Sequence, residues 1–271
     1  MTSVVHLPAR GVIGVGGEDR VTFLQGLVSN DVTLAAPGQC VWAALLTPQG
    51  KWLADFFIFR TPEELLLDCE AGQIDMLLQR LSRFRLRSRV TITPRNDLAV
   101  FAAWGGPVPA DGITAPDPRH PEAGHRILSP VPLPETATFA DWDRHRLVLG
   151  LPDGSRDLEP EKTVLLEAGF DELNGVSWSK GCYMGQELTA RTKYRGLVKR
   201  RLIPVRIHGP APASGSVILR DSTEVGTMRS SSGDLGLALL RLDSLRGPLV
   251  NAEAHIEPRV PAWMRLPEAA A

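Results

Sequence analysis

Apolar and polar positions alternate in two distinct periods along this chain, and the elements follow from them. "GVIGVGG" (11–17) is a short apolar run and predicts a strand. Val21, Leu24, Leu27 and Val28 then recur at helical spacing, with Glu18 and Asp19 where acids favour a helix start. "CVWAALLTPQGKWLADFFIF" (40–59) predicts two strands around the turn Thr47-Pro48-Gln49-Gly50, and "ELLLDCE" (64–70) a third. Ile74, Leu77, Leu78, Leu81 and Phe84 mark the apolar stripe of a helix whose other face carries Arg80, Arg83 and Arg87. "VTITP" (90–94) and "LAVFAAW" (98–104) read as further strands. Residues 105–124, rich in Pro, Gly and Asp, read as a long surface loop. "FADWDRHRLVLGLPDG" (139–154) predicts a helix stopped near Gly150-Leu151-Pro152. From Leu202 onward short strands ("IPVRI", "SVILRD", "LGLALL", "EAHIEP") alternate with turn clusters, the pattern of a small β-barrel. Strands around a helix followed by a barrel make the fold class α+β.

Between these regions, residues 153–198 show little periodicity and the densest polar chemistry. Their centre is "SKGCYMGQEL" (179–188). Gly181 and Gly185 strip bulk from both sides of Cys182, so another molecule can approach the backbone. Lys180 is adjacent, and a positive field favours the thiolate, the form that ligates metal or attacks electrophiles. Gln186 and Glu187 suit the amide and N–H edges of a heterocycle, but Glu187 and Arg191 also stand at i,i+4, where they can simply pair with each other. Asp75 points to a cleft or serves as an ordinary first-turn acid. Cys40 and Cys69 lie in apolar, strand-like runs and read as core.

Composition narrows these readings. With 271 residues, 43% hydrophobic and 23% charged, the chain can bury a sizeable core divided among two or three interlocked small domains. The net charge of -1 hides two basic zones: eight Lys/Arg against one acid over 180–206, and six arginines with no acid over 80–95. Such zones suit an anionic ligand or partner, or are merely solvated faces. No apolar run reaches the roughly 20 residues of a membrane helix. Three scattered cysteines and a start without a secretory pattern or amphipathic presequence lead us to expect a cytoplasmic protein without disulfides. Gly14-Val15-Gly16-Gly17-Glu18-Asp19 fails as a dinucleotide loop, because the last glycine is missing and two acids would repel a pyrophosphate. No CxxC, HxxH or HExxH spacing occurs, so a closed zinc site is not expected. One thiolate cannot hold an iron–sulfur cluster alone, so any cluster at Cys182 needs ligands from a partner.

"LNGVSWSKGCYMGQELTARTKYRGLVKRRL" (173–202) carries the complete K-G-C-[FY]-x-G-Q-E signature of the YgfZ family, and the chain resembles that family over nearly its whole length. "FLQGLVSND" (23–31), "ALLTPQGKWLADFF" (44–57) and "VLLEAGFDELNG" (164–175) are also similar to it. The subtype looks closest to bacterial relatives of the family's mitochondrial iron–sulfur assembly factor. The resemblance implies the three-domain ring of the aminomethyltransferase (T-protein) of glycine cleavage, built around a tetrahydrofolate funnel. It divides the chain into residues 1–40 plus 132–198, a ferredoxin-like part at 41–131, and a C-terminal β-barrel at 199–271. It implies an accessory factor for assembly or repair of 4Fe–4S clusters, tied to tRNA modification through radical iron–sulfur enzymes. Cys182 would be the cluster ligand or redox thiol, shared with an A-type iron–sulfur scaffold. Folate would meet Asp75, Gln186, Glu187 and Arg191, and Lys180, Gly181, Tyr183, Gly185 and Lys193 would complete the motif's anion-binding part. The T-protein carries an aspartate where this chain has Cys182. That departure speaks against the first rival function, a tetrahydrofolate-dependent aminomethyl or one-carbon transferase. The second rival, a tRNA-binding module, has few stacking aromatics near the basic stripe (Tyr183, Tyr194).

Overall fold

The computed structural model describes residues 1–108, 111–252 and 254–266. Its strands are β1 (Ser3–His6), β2 (Arg10–Gly16), β3 (Val41–Leu46), β4 (Trp52–Arg60), β5 (Glu64–Glu70), β6 (Thr91–Pro94), β7 (Ala99–Trp104), β8 (Ile113–Pro116), β9 (His125–Ser129), β10 (Arg200–His208), β11 (Val217–Arg220), β12 (Thr223–Ser232), β13 (Leu235–Arg241), β14 (Leu249–Asn251) and β15 (Ala254–Pro258). Its α-helices are α1 (Arg20–Gln25), α2 (Ile74–Arg85), α3 (Phe139–Leu149) and α4 (Gln186–Tyr194). The strands form a five-stranded sheet in the order β3-β4-β5-β2-β6, a four-stranded sheet β1-β7-β9-β8, and a closed barrel β10-β13-β12-β11-β14-β15. Because β2 pairs with β5 and β6, the first forty residues share a sheet with the segment after residue 41.

Strand periodicity decides how the five-stranded sheet is used. On β4, Phe56 and Ile58 join α2's Leu77 and Leu81 in one core, while Phe57 and Phe59 join Trp42, Trp142, Leu165 and Phe170 in another. Successive side chains point to opposite faces, so a strand buried on both sides reads as an unbroken apolar run. The barrel closes through β10, which pairs with β13 and β15, and Ile203, Val205, Ile207, Met228, Leu240 and Ile256 fill it. Helix α3 starts on a capping box between Thr138 and Asp141 and stops at Gly150 in the left-handed region, as the Gly-Leu-Pro signal predicts.

The expected surface loop at 105–124 is not one throughout. It contains β8, and Asp117 and Arg119 just beyond it are almost sealed from water. They belong to an ionic layer between the two sheets. Asp68 takes Arg10 Nε at 2.6 Å and Arg126 Nη1 at 3.2 Å; Asp117 takes Arg119 Nη2 at 2.7 Å. The Arg126 and Arg119 guanidiniums lie 4.1 and 4.9 Å from the Phe57 ring centroid. A Pro- and Asp-rich composition signalled exposure, but paired charges are buried where each finds its counter-ion.

Candidate functional site

The motif loop 179–188 is shaped by two side chains that leave it in opposite directions. Tyr183 enters the core shared with Trp42 and Phe170, and Met184 packs against the core under α1 and α2. With its two successors anchored in different cores, Cys182 is left exposed, while Cys40 and Cys69 are buried. Burial pushes the Cys69 thiol up to about 12 and the Cys40 thiol higher still, so both stay protonated and inert. Among the described residues, no group of three His, Cys, Asp or Glu is placed to hold a metal ion. Cys182 is therefore an exposed thiol outside any such group.

The four sequence blocks that carry the family resemblance meet here. Lys180 Nζ donates to the carbonyls of Val28 at 2.6 Å and Asn30 at 2.7 Å. Asn30 Nδ2 donates to Trp42 O and Asn174 O, and Ser29 Oγ donates to Gly175 O while accepting from Ala44 N. Met184 N donates to Gly26 O at 3.2 Å, at the end of α1. Gly185, at φ +82°, starts α4 and packs on the β3–β4 turn: a Cβ there would lie 2.5 Å from Thr47 O and 3.0 Å from Gly50 Cα. Gly50 is equally constrained, 2.7 Å from Gly185 O by the same construction. Gly181, at φ +94°, has nothing within 4 Å and faces open space.

The expected anion-binding roles change in this geometry. The Lys180 ammonium is bound by two backbone carbonyls. Burial, partly offset by Asp31, lowers it to about 8. Lys193 is clamped by both Asp171 oxygens at 3.1 Å and lies 3.9 Å over the Trp178 ring. Gln186 Oε1 accepts from Tyr183 N at 3.2 Å and so closes the turn that follows Cys182. Glu187 and Arg191 pair with each other on the surface at 2.6 Å. Asp75 is exposed in the first turn of α2. Cavities of about 640, 350 and 790 Å3 among the described residues are lined by none of Asp75, Gln186, Glu187 and Arg191. Three of the four residues expected around a folate, Gln186, Glu187 and Arg191, already have local hydrogen-bond or ion-pair partners.

Sequence reasoning did not single out Ser29, Asn30, Asp171 and Trp178. "SND" was visible as part of a block, but nothing in it foretold that two polar side chains would tie three distant segments together. A cleft of about 640 Å3 also escaped notice. It lies between residues 166–174, the end of α4 and the barrel, with Glu172, Arg201, Trp263 and Arg265 on its walls. At the C-terminal end of α4, Tyr194 and Leu197 are exposed at 75% and 49%.

Comparison with known proteins places this arrangement. Residues 199–266 match the family described as "CAF17, C-terminal beta-barrel domain". The chain is 34% identical over 283 residues to the mouse (Mus musculus) "Iron-sulfur cluster assembly factor IBA57, mitochondrial", covering 90% of this chain and 79% of that protein. It is 33% identical over 299 residues to the Homo sapiens protein of the same name, covering 95% and 84%. The homologue of Mycosarcoma maydis is 37% identical over 240 residues, covering 78% and 59%. Among solved structures, the aminomethyltransferase T of the glycine cleavage system from Bartonella henselae superposes with a TM-score of 0.76 over 96% of this chain and 85% of that one, at 14% identity. That likeness establishes the expected α+β aminomethyltransferase-type fold. The cytoplasmic expectation is overturned, since these relatives are named as mitochondrial proteins. The lone outward cysteine on an aminomethyltransferase-type ring, together with this shared sequence, shows that the chain belongs to the family of the IBA57 iron–sulfur cluster assembly factors.

Proposed function

We propose that this chain is an accessory factor in iron–sulfur cluster assembly or repair, with Cys182 as the ligand it contributes to a cluster shared with a partner protein. The observation that carries this reading is the exposed thiol that immediately precedes the two anchors Tyr183 and Met184 and belongs to no group of three potential metal ligands among the described residues. The thiol loses its proton on ligation, and the partner's thiolates complete the coordination. An A-type scaffold suits that partner. Enzymes with 4Fe–4S clusters, radical tRNA-modifying enzymes among them, are the clients we propose. Of the expected unit 199–271, residues 199–252 and 254–266 would form a separate barrel unit beside the interlocked sheets, and residues 253 and 267–271 lie outside the described residues.

Tetrahydrofolate is the cofactor this fold suggests, and the cleft at Glu172 suits it chemically. Glu172 uses only Oε1 for Arg201 and the Arg265 N–H, which leaves Oε2 without a hydrogen bond among the described residues and able to accept from a pterin N–H edge. Trp263 offers a flat apolar face, and exposed Arg265 a cation for a carboxylate tail. Bound folate would supply one-carbon carrier chemistry; the cluster role of Cys182 does not depend on it.

The test is anaerobic titration of a cluster-loaded A-type scaffold into wild-type and Cys182→Ser protein, followed by visible absorption and co-elution. Wild type should form a complex with a new thiolate-to-iron absorption that Cys182→Ser lacks. Identical spectra and co-elution for both proteins would overturn the proposal.

A further inference from the structure

The second basic zone contains the most exposed large hydrophobic residue of the described structure after Met1. Leu86 follows α2 with 87% of its surface exposed and a backbone at φ 44°, ψ -109°. Holding a branched residue in such a conformation costs on the order of 1–3 kcal/mol and persists only where something else sustains it. Phe84, expected from its spacing on the buried stripe, is exposed as well. Around these two stand Arg80, Arg83, Arg85 and Arg87, none of which pairs with an acid among the described residues. Arg89, by contrast, is neutralised by Glu18 and Asp19. The helix dipole accounts for cations in the last turn, at Arg83 and Arg85. It accounts neither for Arg87 nor for two apolar side chains held in water.

We propose that residues 82–87 form a knob that docks on an acidic protein surface, with the arginines pairing to carboxylates that rim an apolar groove and Phe84 and Leu86 filling it. Charge complementarity selects the partner. A nucleic acid would match the charge but offers no dry groove for a leucine, and the zone presents one aromatic for stacking. An anionic membrane would also match the charge. However, the open cavity of about 790 Å3 beside Leu86, lined by Thr22, Phe23 and Arg87 with Asp19 already paired to Arg89, is a shaped recess that a folded partner can fill and a lipid surface does not use. Helix α1 joins this knob to the thiol loop: Asp19 binds Arg89 N just before the helix, and Gly26 binds Met184 N just after it. Six helical residues span about 9 Å, so one protein can cover both ends. The proposal does not rest on cluster chemistry, because it concerns a surface without a cysteine.

The experiment measures fluorescence anisotropy of a labelled amphipathic helical peptide, with glutamates on one face and leucines on the other, titrated with the full chain. Vesicles of phosphatidylcholine with phosphatidylglycerol, and a single-stranded RNA oligomer, are compared in the same buffer. The peptide should bind in a salt-sensitive manner, and Arg83→Glu/Arg87→Glu should weaken it by about tenfold or more. Leu86→Gly is the decisive variant. It relieves the backbone, so its melting temperature should rise while its affinity for the peptide falls. Peptide binding that is undetectable, unchanged in Leu86→Gly, or weaker than vesicle or RNA binding would overturn the proposal.

Discussion

Two glycines flank Cys182, both at positive φ, and replacing each by alanine separates two kinds of constraint. At Gly181 (φ +94°) an added Cβ meets nothing within 4 Å. Only the backbone conformation resists, at about 1–2 kcal/mol, and the stiffer unfolded chain returns about 0.4–1 kcal/mol of that. Gly181→Ala should therefore cost roughly 1 kcal/mol. At Gly185 (φ +82°) the same conformational term applies, but the Cβ would also lie 2.5 Å from Thr47 O, 2.9 Å from Leu46 Cβ and 3.0 Å from Gly50 Cα. Two of these are backbone atoms of the β3–β4 turn and cannot rotate away. Forced overpacking adds about 1–3 kcal/mol, so Gly185→Ala should cost roughly 2–4 kcal/mol. Urea unfolding followed by tryptophan fluorescence reads the difference as a shift in midpoint at constant slope. The two variants should differ by at least about 1 kcal/mol, with Gly185→Ala the weaker. Equal losses, or a larger loss at Gly181, would refute the claim that the motif loop is seated on that turn.

Asp68→Ala should be among the most destabilising single changes. It strands the buried guanidiniums of Arg10 and Arg126, which are 6% and 2% exposed, and the loss of one partner from such a group costs about 3–5 kcal/mol. A thermal melt should fall by on the order of 10 °C, and a drop of a degree or two would show that water already reaches the layer. Acid should unfold the protein through this layer and through a second set of ion pairs, in which Asp143 pairs with Arg146 and Arg156, and Asp153 with Arg156. Burial raises Asp117, Asp143 and Asp153, but their arginine neighbours outweigh it and hold all three below the usual carboxylate range. A carboxylate depressed in the folded state contributes stability that is present above its unfolded value of about 3.9 and lost as pH falls through the folded one. Asp55 acts in the opposite sense, because burial raises it despite Arg10 and the Trp42 N–H; its contribution is present at low pH and lost as pH rises through its folded value. With three groups against one, the melting temperature should fall steeply below about pH 4, and a flat profile there would contradict the pairing.

Much of the architecture was legible because it follows from local rules. The 3.6-residue spacing marked α1 and α2, the two-residue spacing marked β3 to β5, and the recurrent turns of the last seventy residues marked a barrel. The misreadings share one cause. Whether a residue is buried depends on what arrives from elsewhere in the chain. Asp117 and Arg119 sit in a stretch whose composition signals solvent, yet they are covered because Trp42, Phe57 and Arg126 come to meet them. Phe84 lies on the helical stripe with Leu77 and Leu81, yet it overshoots the sheet beneath and stays in water.

The site divides along the same line. The motif by itself determined that a thiol stands between two residues free of side-chain bulk, and that Glu187 can reach Arg191. Those are properties of neighbouring positions, and sequence distance governs them. Only the tertiary structure decided that the thiol faces outward, that the adjacent lysine is turned onto the carbonyls of Val28 and Asn30, and that Gly185 must have no side chain because a turn more than a hundred residues earlier in the chain rests against it. Those facts are set by contacts between segments far apart in the chain, and no local pattern carries them.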